Sequence, residues 1–157
     1  MKQIHTINPI FNSESKVLIL GSFPSVKSRK KNFYYAHPQN RFWKIMECLF
    51  NENINDKRQF LLDKKIALWD TIKECTIEGS SDSSIKDVIP NDINYILRYA
   101  NIKCIFTIGN KSYELYNKYI YSTTNIKALK LSSPSPANAK MSLEKLVNEY
   151  KIILEYL

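Results

Sequence analysis

A chain of 157 residues, 44% hydrophobic and 24% charged, with only three glycines and six prolines, is sized for one domain around one core and excludes global disorder and fibrous classes. Its 23 Lys and Arg outweigh 15 Asp and Glu for a net charge of +8, which suits a polyanionic partner but equally describes a solvated lysine-rich surface, since Arg29, Arg41, Arg58 and Arg98 are the only arginines. No apolar run approaches the roughly 18 residues of a membrane span, and Met1 to Phe11 lacks the apolar stretch of a signal peptide, so the expected protein is cytoplasmic and does not enter a membrane.

In chain order, Val17 to Leu20 is a continuous apolar run closed by Gly21, the pattern of a strand buried on both faces in a parallel sheet. Helical spacing follows Pro38 at Phe42, Ile45, Met46, Leu49 and Phe50, and Phe60 and Leu61 lie on a helix before a second buried strand, Ile66 to Trp69. Glu78 to Ser84 has loop composition. After Pro90, Ile93, Ile96, Leu97 and Ala100 repeat at helical spacing, and Ile102 to Ile108 is a third buried strand. Leu115, Tyr116 and Tyr119 share a helix face, and Ile126 to Leu131 alternates with lysines as a strand with one wet face near a sheet edge. Leu143, Leu146, Val147, Tyr150 and Leu154 form the last helix, with Ser142 as its N-cap. Strand and helix alternate, which predicts an α/β fold with a four-stranded, mainly parallel sheet and right-handed crossovers.

Cys48, Cys75 and Cys104 are an odd, widely spaced set, with only His5 and His37 as further soft ligands, so no disulfide, zinc site or iron–sulfur cluster is expected. Cys48 and Cys104 read as buried structural thiols. Dinucleotide and Walker glycine patterns are absent, and neither metal nor cofactor is expected.

Ligands of open parallel sheets bind at the carboxyl ends of the strands, which singles out Gly21 to Ser25, Gly109 to Lys111 and Ser132 to Asn138. Gly21 permits a tight turn, Pro24 stiffens it, and Ser22 and Ser25 place hydroxyls beside backbone N–H groups, as an anion or a base edge requires. A plain turn is the competing reading, as it is for the proline-stiffened loop before the last helix. Lys111 reads as a solvated helix start. Asn32 to Trp43 interleaves aromatic rings with amide, imidazole and guanidinium groups, the materials for stacking a base and bonding its edge. Phe42 and Trp43 belong to a core, Tyr34 and Tyr35 form an aromatic pair in a loop, and His37, extended before Pro38, reads on its own as a structural hydrogen bonder.

Gly21-Ser22-Phe23-Pro24-Ser25, then Tyr35-Ala36-His37-Pro38-Gln39-Asn40-Arg41-Phe42-Trp43-Lys44, then Ser133-Pro134-Ser135-Pro136-Ala137-Asn138, taken in that order, resemble the uracil-DNA glycosylase superfamily. Within it the chain looks most like the hypoxanthine-DNA (deoxyinosine) glycosylases and next most like the mismatch-specific uracil/thymine glycosylases. The resemblance implies a three-layer α/β sandwich over residues 1–157 as one domain. It also implies hydrolysis of the N-glycosidic bond of a deaminated base, most simply hypoxanthine, flipped from DNA to leave an abasic site. By the same resemblance Asn40 carries the catalytic burden, on water or on the base, and His37 is a candidate for steadying the leaving anion. Gly21, Ser22, Phe23, Pro24 and Ser25 hold the base, Tyr35 stacks on it, and Ser133, Pro134, Ser135, Pro136 and Asn138 grip the duplex. The mismatch-specific branch carries asparagine at the position of Phe23 and other branches an aspartate nearby; their lack here matches the hypoxanthine branch. A uracil or mixed-lesion glycosylase, and a non-catalytic nucleic-acid-binding module on the same fold, remain alternatives. The expected partner is DNA with a damaged base, bound by a monomer.

Overall fold

The computed structural model describes residues 1–157. Its strands in chain order are β1 (Lys2–Ile4), β2 (Val17–Gly21), β3 (Ile66–Asp70), β4 (Ile72–Thr76), β5 (Lys86–Pro90), β6 (Cys104–Ile108) and β7 (Ala128–Leu131). The central sheet is parallel throughout, in the order β3-β2-β6-β7. Every residue of β2 and β6 is buried, which is why β2 reads as an unbroken apolar run and β6 as one interrupted only by Thr107. Side chains alternate across the sheet: Val17 and Ile19 join one core cluster, Leu18 and Leu20 the other.

Helices cover both faces. Against the first face lie α2 (Phe42–Phe50), α3 (Lys57–Asp63) and α7 (Leu143–Tyr150), which bring Phe42, Ile45, Met46, Leu61, Leu146 and Tyr150 to the larger core, and they follow α1 (Val26–Lys31) in the chain or lie far beyond it. Against the second lie α4 (Asn94–Leu97), α5 (Asn110–Leu115), a π-helical turn over Tyr116–Ile120 and α6 (Tyr121–Thr124), which supply Ile96, Tyr116 and Ile120 to the smaller core. The result is the three-layer α/β arrangement expected. Ser142 caps α7 through its side chain, accepting from the Lys145 N–H at 3.2 Å. β7 is an edge strand with Leu129 and Lys130 exposed, as its lysine alternation indicated. At the other edge Ile10 exchanges both backbone hydrogen bonds with Leu68 at 2.9 Å and so covers β3.

The structure departs from the sequence reading in four places. A second, antiparallel sheet, β1-β4-β5, was not expected, because its strands are short and partly exposed and the β4–β5 pairing is irregular in register. Helix α1 follows the first loop directly; Val26-Lys27-Ser28-Arg29-Lys30-Lys31 has no apolar period, and the helix is delimited by the Ser25 side-chain cap and by Asn32 at φ 54°. Cys48 is exposed, contrary to expectation, because it lies across the α2 axis from the buried Phe42, Ile45 and Met46; Cys75 and Cys104 are buried. Tyr34 lies in the loop as expected but packs inward as a core residue, 2% exposed, and its hydroxyl donates to the Asn8 carbonyl at 2.8 Å. No helix is long and apolar enough to cross a membrane.

Candidate active site

The carboxyl ends of the four parallel strands open into one cleft of about 880 Å³, large enough for a nucleoside-sized ligand. The first loop, the block before α2 and the loop before α7 all line it, as does the 80–83 segment. Of the predicted residues, Gly21, Ser22, Phe23, Pro24, Ser25, Tyr35, Asn40, Ser133, Pro134, Ser135 and Asn138 are brought together there. His37 and Pro136 do not line it. The His37 Nδ1 instead accepts from the Gln39 N–H at 3.1 Å, a local turn bond.

The first loop offers the cleft its backbone more than its side chains. Ser22 Oγ donates to Asp82 Oδ1 at 2.9 Å, and Ser25 Oγ caps α1 by accepting from the Ser28 N–H at 3.2 Å. The Phe23 ring, 8% exposed, packs with Ile72, Cys75, Ile77, Ile85 and Leu115. By contrast, the N–H groups of Ser22, Phe23 and Ser25 have no acceptor within the protein. They are donors left over for a ligand.

Asn40 is oriented by its own helix. Its Oδ1 accepts from the Phe42 N–H at 2.9 Å, so the carboxamide NH₂ is the end left for the cleft. An amide held this way is a hydrogen-bond donor. It can stabilise negative charge on a ligand but cannot accept a proton from water.

Tyr35 sits in a left-handed conformation, φ 51°, which a non-glycine residue adopts at some cost. One ring face stacks on Phe42, with centroids 4.3 Å apart, and the hydroxyl lies buried at the cleft floor with no hydrogen-bond partner. Burial and the nearby Asp70 carboxylate raise its pKa well above the usual phenol value, so it remains a donor. Beneath it, Asp70 ends β3 and accepts from His5 Nε2–H at 2.7 Å, both side chains at most 5% exposed. The end of β2 must be glycine here: a Cβ on Gly21 would stand 2.5 Å from Asp70 Oδ1 and 2.9 Å from the Tyr35 hydroxyl.

The loop before α7 is pre-shaped from within. Ser133 Oγ accepts from the Ser135 N–H at 3.1 Å, Ser135 Oγ from the Ala137 N–H at 3.2 Å, and Asn138 Nδ2 donates to the Ser133 carbonyl at 3.0 Å. The two serine hydroxyl protons are not used by these bonds and can still be donated. Arg41 fastens the loop to the block before α2. Its guanidinium donates to the carbonyls of Pro134 (3.3 Å), Ser135 (2.9 Å), Asn138 (3.1 Å) and Met141, while its N–H donates to Pro134.

The uracil DNA glycosylase superfamily model matches residues 9–157, nearly the whole chain and every residue lining the cleft. The chain belongs to this superfamily. It is 35% identical over 112 residues to a hypoxanthine DNA glycosylase of Methanosarcina barkeri, covering 68% of this chain and 71% of that one. To a protein of the same name from Methanosarcina acetivorans it is 38% identical over 90 residues, 54% of this chain and 57% of the other. A solution NMR structure from Methanosarcina acetivorans, described as that of a candidate uracil DNA glycosylase, superposes with a TM-score of 0.79 at 28% identity, covering 98% of this chain and 99% of that one.

Within this superfamily fold, the sequence reading missed four contributors: His5, Arg41 as a clamp, Asp70 and Asp82. Asp70 was within reach, because the strand-end rule that selected Gly21 applies equally to the residue after Trp69. Nothing in spacing or composition marks His5 or Asp82, whose partners lie 65 and 60 residues away. No group of three or more His, Cys, Asp or Glu side chains is placed to hold a metal ion.

Proposed function

We propose that this DNA glycosylase excises hypoxanthine from deoxyinosine in DNA, hydrolysing the N-glycosidic bond of a nucleotide flipped into the cleft. The observation that carries the reading is the donor-rich lining: the N–H groups of Ser22, Phe23 and Ser25, the Asn40 amide and the Tyr35 hydroxyl. Deamination replaces an exocyclic amine, a donor, by a carbonyl, an acceptor. Donors in a buried site therefore welcome hypoxanthine and leave adenine with an opposed amine, a mismatch costing the penalty of unpaired polar groups. The same donors meet the negative charge that gathers on the base as the bond to the sugar breaks. Extrusion adds to the discrimination, since a mispaired nucleotide leaves the stack at lower cost than a paired one. Both curated relatives are named for this substrate, and neither Asn nor Asp stands at Phe23.

In this reading Tyr35 contributes its hydroxyl as well as its ring to the cleft lining. Tyr35→Phe removes a buried hydroxyl that has no protein partner, so stability is expected to hold within about 1 kcal/mol or to rise. Excision of hypoxanthine is expected to fall about tenfold, the loss of one hydrogen bond to the departing base. Thermal unfolding and single-turnover kinetics check the two halves separately, and an unchanged rate would remove the hydroxyl from base recognition. The function itself is tested by incubating the protein with a duplex carrying one deoxyinosine and assaying free hypoxanthine and abasic strands. Release of both in equal amounts is expected; release of neither contradicts the reading.

A further inference from the structure

Hydrolysis is assisted by a group that orients the water and takes its proton, and the donors described above cannot do so. Three carboxylates line the cleft: Asp70, Asp82 and Glu114. Asp70 is buried under Gly21 and tied through Oδ2 to His5. Glu114 is largely exposed and faces Lys111 at 4.0 Å. Asp82, like Asp70, has one oxygen tied, here by the Ser22 hydroxyl, and the other without a protein partner, but unlike Asp70 it stands in an exposed segment.

The segment that carries Asp82 is built against the first loop. Ile77 and Ile85, which flank it, pack in the same cluster as Phe23. Ser80 Oγ accepts from the Val26 N–H at 2.9 Å, and the Arg29 guanidinium bridges the Pro24 carbonyl at 2.7 Å to the Gly79 carbonyl at 3.0 Å. The apolar ring at position 23 thus helps to anchor the neighbouring segment that presents a carboxylate beside Ser22.

Resting on the glycosylase reading above, we propose that Asp82 is the catalytic base that positions and deprotonates the hydrolytic water. As the water oxygen bonds to C1′, one of its protons passes to the free Asp82 oxygen. The bond from C1′ to the base breaks with its electron pair leaving on the base. The base takes a proton from solvent, and Asp82 later returns its own to solvent. Asp82 stands at the rim, open to water, yet crowded enough by protein that desolvation raises its pKa, with the Ser22 bond and Lys111 opposing and Asp70 reinforcing the shift. The titratable groups that feel it are Lys111, Asp70, Tyr35 and Cys75. Activity is accordingly lost as pH falls through this raised value.

The test is Asp82→Asn, which retains an acceptor for Ser22 and removes the base. On a deoxyinosine duplex its single-turnover rate is expected to fall at least about a hundredfold, the range for loss of a general base. Its acid limb should disappear, and its affinity for a duplex carrying a non-cleavable 2′-fluoro-deoxyinosine should stay within about threefold of the original. A rate within about threefold of the original, a retained acid limb, or a matching loss of affinity would each overturn the assignment. Base release by the original protein alongside any of these sinks Asp82 alone. No release by the original protein sinks the glycosylase reading and the assignment with it.

Discussion

Asn40→Asp is expected to leave the start of α2 intact and to lower single-turnover excision of hypoxanthine at least about a hundredfold, the cost of removing one donor from developing negative charge. The carboxylate keeps an oxygen for the Phe42 N–H, the bond that orients Asn40. What it removes is the NH₂ facing the cleft, and it sets a negative charge where the base becomes anionic. Asn40→Ala loses both functions, so it should also cost about 1 kcal/mol of stability through the orphaned Phe42 N–H. The contrast separates two roles that a single alanine variant would merge. Unfolding midpoints and single-turnover rates on one deoxyinosine duplex provide it. An aspartate variant as fast as the original would show that the amide acts by accepting, which its bond to Phe42 argues against.

Gly21→Ala adds one methyl group at the point where three parts of the site converge. The new carbon would lie 2.5 Å from Asp70 Oδ1, and that carboxylate cannot swing aside without leaving His5. It would also lie 2.9 Å from the Tyr35 hydroxyl, whose ring is held against Phe42. Overpacking of this kind costs about 1–3 kcal/mol, and disturbing a buried, hydrogen-bonded pair adds to it. Excision should fall at least about a hundredfold, because misplacing reacting groups by about 1 Å has that effect. Near-original stability and rate together would mean that the floor of the cleft is soft, contrary to the packing around Asp70.

The central sheet was legible because strands buried on both faces are predominantly apolar: Val17 to Leu20 is wholly so, and Cys104 to Ile108 is broken only by the buried Thr107. Helices α2 and α7 were legible from their one-sided apolar spacing, and Ser142 from the chemistry of a helix start. Exposure hid β4 and β5, whose residues alternate irregularly, and a basic composition hid α1. In the site, the three cleft segments follow from strand ends and motif order, but the direction in which each side chain acts does not. Ser22 and Ser25 read as ligand hydroxyls, yet the fold uses them to hold Asp82 and to cap α1. Asn40 reads from the sequence as open between water and base, and nothing there shows that its oxygen is engaged by the Phe42 N–H. His5, Arg41 and Asp82 act through partners far along the chain, and such contacts exist only once the layers have packed.

The most direct test of the central claim, that a donor-lined cleft recognises a flipped deaminated purine, compares single-turnover base release from matched duplexes carrying one deoxyinosine, one deoxyuridine or one deoxyadenosine. Release of hypoxanthine at least about tenfold faster than uracil, with adenine retained, is the expected result. Uracil released faster than hypoxanthine, or adenine released at a comparable rate, would contradict it.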